Sequence, residues 1–205
     1  MKKIRLYLSP FLGFILITGI ISAYQENPSE MPKAGLPVLI TSCGQSPGPA
    51  MLKVIIQRLK LDFDFEPLAT VQDLKEKAKS STPYKSMIIV MGASLKGMGA
   101  AGISIEDELY RTSELIKEAR TQGITVIGAH IEGMKRRAQG AAVGDNTDEL
   151  TIDAVAHNCD FLVINKTGNT DDRFTIISEE NVIPMIQVEK TFDLLEIFKK
   201  IFQKN

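Results

Sequence analysis

From Leu36 onward, short apolar runs rich in Val and Ile alternate with stretches in which apolar residues return every three to four positions. The runs are too short for helices and nearly continuous in their hydrophobicity, the pattern of strands covered on both faces of a parallel sheet. They predict strands over Leu36 to Ser42, Phe63 to Pro67, Ser86 to Gly92, Thr125 to His130, Phe161 to Asn165 and Val182 to Val188. The intervening spacing predicts helices near 49–60, 70–79, 104–122, 147–158 and 171–180, with a closing helix from Thr191. Strict alternation of this kind assembles as an open, doubly wound, mostly parallel α/β sheet of about six strands, three-layered and Rossmann-like or flavodoxin-like. Ser104 with Asp107 forms a capping signal for the third helix and Gly123 a stop, while Phe192, Leu195, Phe198 and Phe202 share one face of the last.

The amino terminus breaks this rhythm. Lys2, Lys3 and Arg5 precede an uncharged run from Leu6 to Ile21, and small Ser22-Ala23 precede polar Tyr24 to Asn27, the order of a secretory signal. A run of 16 apolar residues, broken by Pro10 and Gly13, is marginal for a permanent membrane span. The chain therefore divides into a signal over 1–23, a flexible tether over 24–35 and one α/β domain over 36–205, exported and without a stable anchor after cleavage. Without its three amino-terminal cations the mature chain holds 21 basic residues against 25 acidic ones, a mildly acidic domain. That balance, with no Trp and 6% aromatics, excludes the usual nucleic-acid binders.

Doubly wound sheets bind ligands beyond the carboxyl ends of their strands, at the point where the winding reverses. The unusual loops fall there: Cys43 to Pro49 after the first strand, Ala93 to Gly102 after the third, and Ile131 to Asp145 after the fourth. Lys96, Arg136, Arg137 and Lys166 in these loops, against Asp145 and Glu189, favour an anionic ligand group, carboxylate or phosphate, held by arginine forks and helix amino termini. The candidate ligand-binding residues are Gln45, Ser46, Ser94, Lys96, His130, Arg136 and Arg137.

Three motifs compete with that reading. Gly97-Met98-Gly99-Ala100-Ala101-Gly102 spells the dinucleotide fingerprint, but its first glycine lies about five residues past a strand, and no acid ends the next strand to take the ribose. Gly44-Gln45-Ser46-Pro47-Gly48 matches a nucleophile elbow, yet Pro47 has no N–H for the oxyanion hole; Ser46 as helix cap with Pro47 at the first helical position accounts for it better. Cys43 follows small residues as a lipidation site would, but a charged, proline-containing stretch separates it from the apolar run. An extracytoplasmic hydrolase or transferase pairing Cys43 or Ser46 with His130 stays open, as does a ligand-free interaction subunit of a membrane complex docked on a membrane protein. His130, Glu132 and Asp145 are the nearest approach to a metal site, without the usual histidine spacing, so neither metal nor cofactor is expected. Cys43 ends the first strand and Cys159 precedes the fifth, so the two thiols lie at opposite edges, too far apart for a disulfide.

The signal, Ile40-Thr41-Ser42-Cys43-Gly44-Gln45-Ser46-Pro47-Gly48 and Lys96-Gly97-Met98-Gly99-Ala100-Ala101-Gly102-Ile103 together resemble an uncharacterised family of predicted secreted bacterial proteins, known only as a domain of unknown function. The resemblance implies an exported α/β domain over nearly the whole mature chain, with no activity attached.

Overall fold

A computed structural model describes residues 31–140 and 146–203. Residues 1–23, where a signal is expected, residues 24–30 of the expected tether and the loop residue Asp145 lie outside the described residues. Six parallel strands form one sheet in the order β2-β1-β3-β4-β5-β6: β1 Val38–Cys43, β2 Phe63–Phe65, β3 Ser86–Met91, β4 Thr125–His130, β5 Phe161–Asn165 and β6 Met185–Val188. The predicted doubly wound α/β sheet is thus the observed one. The chain steps from β1 to β2 on one side and then back past β1 to β3, which opens the winding reversal between β1 and β3.

One helix layer holds α1 (Gly48–Arg58) and α7 (Leu194–Ile201), packed on Val38, Ile40, Ile88, Val90, Ile127 and Val163. The other holds α2 (Val71–Ala78), α4 (Ile105–Thr121), α5 (Thr147–Ala156) and α6 (Arg173–Asn181), against Leu39, Met87, Ile89, Val126, Leu162 and Ile164. Even and odd residues of each strand feed different layers, because side chains alternate across a sheet. Burial of every residue of β1, β3 and β5 explains why those runs read as continuously apolar.

Three local expectations are corrected. Residues 95–101, read as loop, form a short helix, α3 (Leu95–Ala101), capped by the Ser94 hydroxyl on the Gly97 N–H at 3.1 Å. The last strand starts at Met185 rather than Val182; Val182 is the left-handed end of α6 (φ 54°), and Pro184 follows it. The buried face of the last helix is Leu194, Phe198 and Ile201, an i, i+4, i+7 set. Phe192 precedes that helix in a 3₁₀ turn and is 69% exposed. Cys43 and Cys159 are both buried free thiols.

Candidate functional site

The loop after β1 is built on a buried ion pair. Glu108 on α4 is fully buried; it accepts from the Gly44 N–H at 2.8 Å, Gln45 Nε2 at 2.9 Å and Arg111 Nε at 2.9 Å. Arg111 in turn donates to the Ser42 and Ala69 carbonyls, each at 2.6 Å. Every lone pair and donor so held is one fewer unpaired buried group, which is what lets an ion pair sit there. Gln45 is fixed in the left-handed region (φ 55°), and its Nε2 also donates to the Pro67 carbonyl at 3.0 Å. The amide predicted to orient a ligand is therefore engaged in shaping the loop.

At the reversal point, residues from three strands meet. Ser46 is nearly buried, and its hydroxyl accepts from the Gly48 N–H at 3.2 Å. Pro47 has helical φ and ψ and itself stands at the N-cap of α1, without a side-chain cap hydrogen bond, and its carbonyl accepts from Met51 N at 3.1 Å. The expected arrangement, Ser46 as cap and Pro47 at the first helical position, is displaced by one residue, and the donor Pro47 lacks still falls where no partner is required. Glu132, just beyond β4, places one carboxylate oxygen 3.0 Å from that same Gly48 N–H and the other 3.1 Å from Arg136 Nε. Arg136 Nη1 donates to the Ala93 carbonyl at 2.9 Å. Gly92 lets these groups close up: its φ is +147°, and a Cβ there would lie 3.1 Å from Arg136 and 3.3 Å from the Ser46 hydroxyl. Asp148 on α5 accepts from the Ala93 N–H at 2.6 Å, and its burial pushes its carboxyl above the usual range.

Beside it, at the ends of β4 and β5, a second cluster has a different character. Arg137 has a side chain only 1% exposed; it donates to Glu149 at 2.8 and 3.2 Å, to Asp171 at 3.0 and 2.7 Å and to the Gly168 carbonyl. Its guanidinium also lies over the Phe174 ring. His130 is fully buried against the same ring, centroids 5.0 Å apart. Its Nε2 meets the Arg136 carbonyl at 3.0 Å, and a carbonyl only accepts, so Nε2 carries the proton and Nδ1 is a bare acceptor. Nδ1 has no partner among the described residues, and burial lowers the ring's pKa.

The seven predicted residues therefore divide. Gln45, Ser46, Ser94 and Arg136 gather around the ends of β1 and β3. Lys96 stands exposed on the neighbouring α3 with no partner among the described residues, while His130 and Arg137 are interior supports. Gly97, the first glycine of the supposed dinucleotide fingerprint, serves packing: a Cβ there would lie 2.1 Å from the Gln45 carbonyl oxygen. Glu108, Arg111 and Asp148 escape a reading of the sequence because their spacing marks them only as helix acids and bases; Glu132, weighed there only beside His130 and Asp145 as a metal ligand, holds the Gly48 N–H and Arg136. The Cys43 thiol is fully buried and pushed up to about 12 by desolvation. β3 lies between the strands of Cys43 and His130, separating them by about two inter-strand spacings of ~4.8 Å, beyond hydrogen-bond reach. Ser46 makes no hydrogen bond to His130, whose Nε2 is engaged by Arg136.

The comparisons with known proteins give a family and no chemistry. Residues 35–202 match the family described as Domain of unknown function (DUF6305), and the chain belongs to that family. No curated protein matches it. Among solved structures it is similar to a serine-to-alanine mutant of the esterase AlinE4, at 10% identity over 86% of each chain with a TM-score of 0.35. It is also similar to the acetyl xylan esterase AlAXEase, at 11% identity over 82% of this chain and 87% of that one with a TM-score of 0.36. Likeness at that level carries no argument about activity.

Proposed function

We propose that this chain is an exported protein that binds a small anionic molecule, carboxylate or phosphate, where β1 and β3 end. The observation that carries the reading is the state of Arg136. Its Nε and one Nη1 hydrogen are taken by Glu132 and the Ala93 carbonyl, while Nη2 has no partner among the described residues and its side chain is 24% exposed. A guanidinium held through Nε and Nη1 and unoccupied at Nη2 is pre-organised to give its Nη2 hydrogens to an oxyanion. The Ser46 hydroxyl, which accepts from Gly48 and keeps its own proton to give, stands beside it; Lys96 adds an uncommitted positive charge nearby. His130 acts one step back, holding the Arg136 carbonyl through Nε2. Arg137 fixes the chain immediately after it.

Thermal melting with inorganic phosphate and with succinate, followed by calorimetric titration, tests the reading. Ligand at 100 times its Kd adds about 2.7 kcal/mol, which for a chain of this size raises Tm by roughly 5–10 °C. Arg136→Ala abolishes the shift, and Arg58→Ala, on the remote face of α1, keeps it. A wild-type shift that survives Arg136→Ala, or no shift with either anion, overturns the assignment.

A further inference from the structure

The α1/α7 layer carries an outward groove that the anion site does not use. Met51, Val54, Ile55 and Arg58 form one wall at i, i+3, i+4, i+7 spacing, and Thr191, Phe192 and Leu195 form the other, around a volume of about 490 Å³. Three of the large apolar side chains there are exposed: Met51 at 38%, Val54 at 61% and Phe192 at 69%. Apolar side chains exposed together at one place mark an interaction surface rather than ordinary scatter. The question is what covers them.

Two observations select the occupant. The first is charge. Arg58 ends the α1 wall, which holds no acid, and α7 ends in exposed Lys199-Lys200, three cations against Asp193 and Glu196 of the second wall; Lys53 is turned away, its Nζ over the Phe65 ring. These cations outnumber the acids, and the surplus would double if two copies paired through this groove about a two-fold axis. They would also face Lys2, Lys3 and Arg5 if the chain's own apolar run, residues 6–21, folded back into it. An anionic surface satisfies them instead.

The second observation is the route of the chain. Met31 and Ala34 pack against the α1/α7 layer, and Lys33 Nζ donates to the Lys200 carbonyl at 2.9 Å. The segment leading from the apolar run therefore enters the domain on this side. Residues 22–30 number nine and span at most about 30 Å, so the layer cannot stray far from wherever residues 6–21 reside.

We infer that the α1/α7 groove docks on an anionic bilayer surface, with Met51, Val54 and Phe192 dipping into the headgroup boundary and Arg58 and Lys199 meeting lipid phosphates. This is the chemistry of an interfacial surface, apolar at the centre and basic at the rim. It requires the amino-terminal segment to remain on the chain long enough to deliver the domain. The anion site at the strand ends plays no part in it, so either proposal can fail alone.

The full chain, carried on vesicles of phosphatidylcholine with phosphatidylglycerol and a trace of doxyl-labelled lipid, provides the test. A fluorophore is attached at Val54→Cys or, on α6 in the opposite layer, at Ile176→Cys, which replaces a side chain 49% exposed. Buried Cys43 and Cys159 do not compete for the label. Quenching at position 54 should exceed that at 176 at least about twofold, in keeping with insertion of only one face. Adding Arg58→Glu with Lys199→Glu should bring position 54 down to the level of position 176. Equal quenching at both positions, or failure of the chain to float with the vesicles, overturns the proposal. So does shielding of the 54 label in lipid-free detergent that grows with protein concentration, because the occupant is then a second copy.

Discussion

Arg136 and Arg137 are neighbours in sequence, yet one opens onto the strand-end crevice and the other is sealed inside the protein. Arg137 has two carboxylates, a carbonyl and an aromatic face around a side chain 1% exposed. Arg136 has one carboxylate and one carbonyl, and its Nη2 has no partner among the described residues. The difference arises from the backbone between them. Arg136 closes a 3₁₀ turn over Gly133–Arg136, whereas Arg137 is extended (φ −130°, ψ 134°), which throws consecutive side chains to opposite sides. A fully paired arginine cements a corner; a half-paired one is equipped to receive something.

The contrast is broken most directly by truncation. Arg137→Ala leaves Glu149 and Asp171 facing an emptied interior and should lower unfolding free energy by about 3 kcal/mol or more, whereas Arg136→Ala should cost under about 1 kcal/mol. Urea denaturation of the two variants decides this, and equal costs would erase the distinction between corner and crevice.

Acid probes the same boundary with an effect of intermediate size. His130 is held neutral by burial, with Arg137 opposing its protonation, so its folded pKa lies below the unfolded value near 6.5. Below that value the unfolded chain takes up a proton that the folded chain refuses, and stability falls with pH. Between pH 6.5 and 5.5 this loss is at most about 1 kcal/mol, and His130→Gln should remove that part of the slope. Asp148 has the opposite sign. Its folded pKa is raised by burial, so its ionisation near neutrality opposes folding, and protonation on acidification relieves the penalty. Asp148→Asn, which still offers an oxygen to the Ala93 N–H, should be neutral or stabilising by less than about 1 kcal/mol at pH 7. Measured loss of stability in that variant would show that the carboxylate's charge supports the Ala93 loop.

Six strands and their flanking helices were legible because a parallel sheet covered on both faces writes itself as apolar runs of strand length. The start of α1 at Pro47 was legible to within one residue, since proline's fixed φ is local chemistry. α3 was not, because a seven-residue helix containing Gly97 and Gly99 has neither the period nor the propensity of a helix. The exposure of Phe192 escaped for a related reason: a 3₁₀ turn ahead of α7 shifts the phase by which helical faces are counted. In the site, Arg136 and Arg137 read alike in sequence, and only folding separates them. Glu108 read as an ordinary acid in the first turn of a helix, while its burial under the β1 loop depends on contacts more than sixty positions apart. The family match covers residues 35–202 and adds no chemistry.

Glu132 has a further consequence. Its carboxylate already sits at the start of α1, one oxygen on the Gly48 N–H and the other on Arg136. The protein therefore carries a tethered rival for its own proposed visitor, present at an effective concentration on the order of millimolar or above. If an anion binds there as proposed, abundant and weakly coordinating ones would lose that contest, and a molecule that bonds strongly to Nη2 of Arg136 would win it. Under that proposal the acidic side chain beside Arg136 would work as a threshold, setting how good a guest must be before it is held.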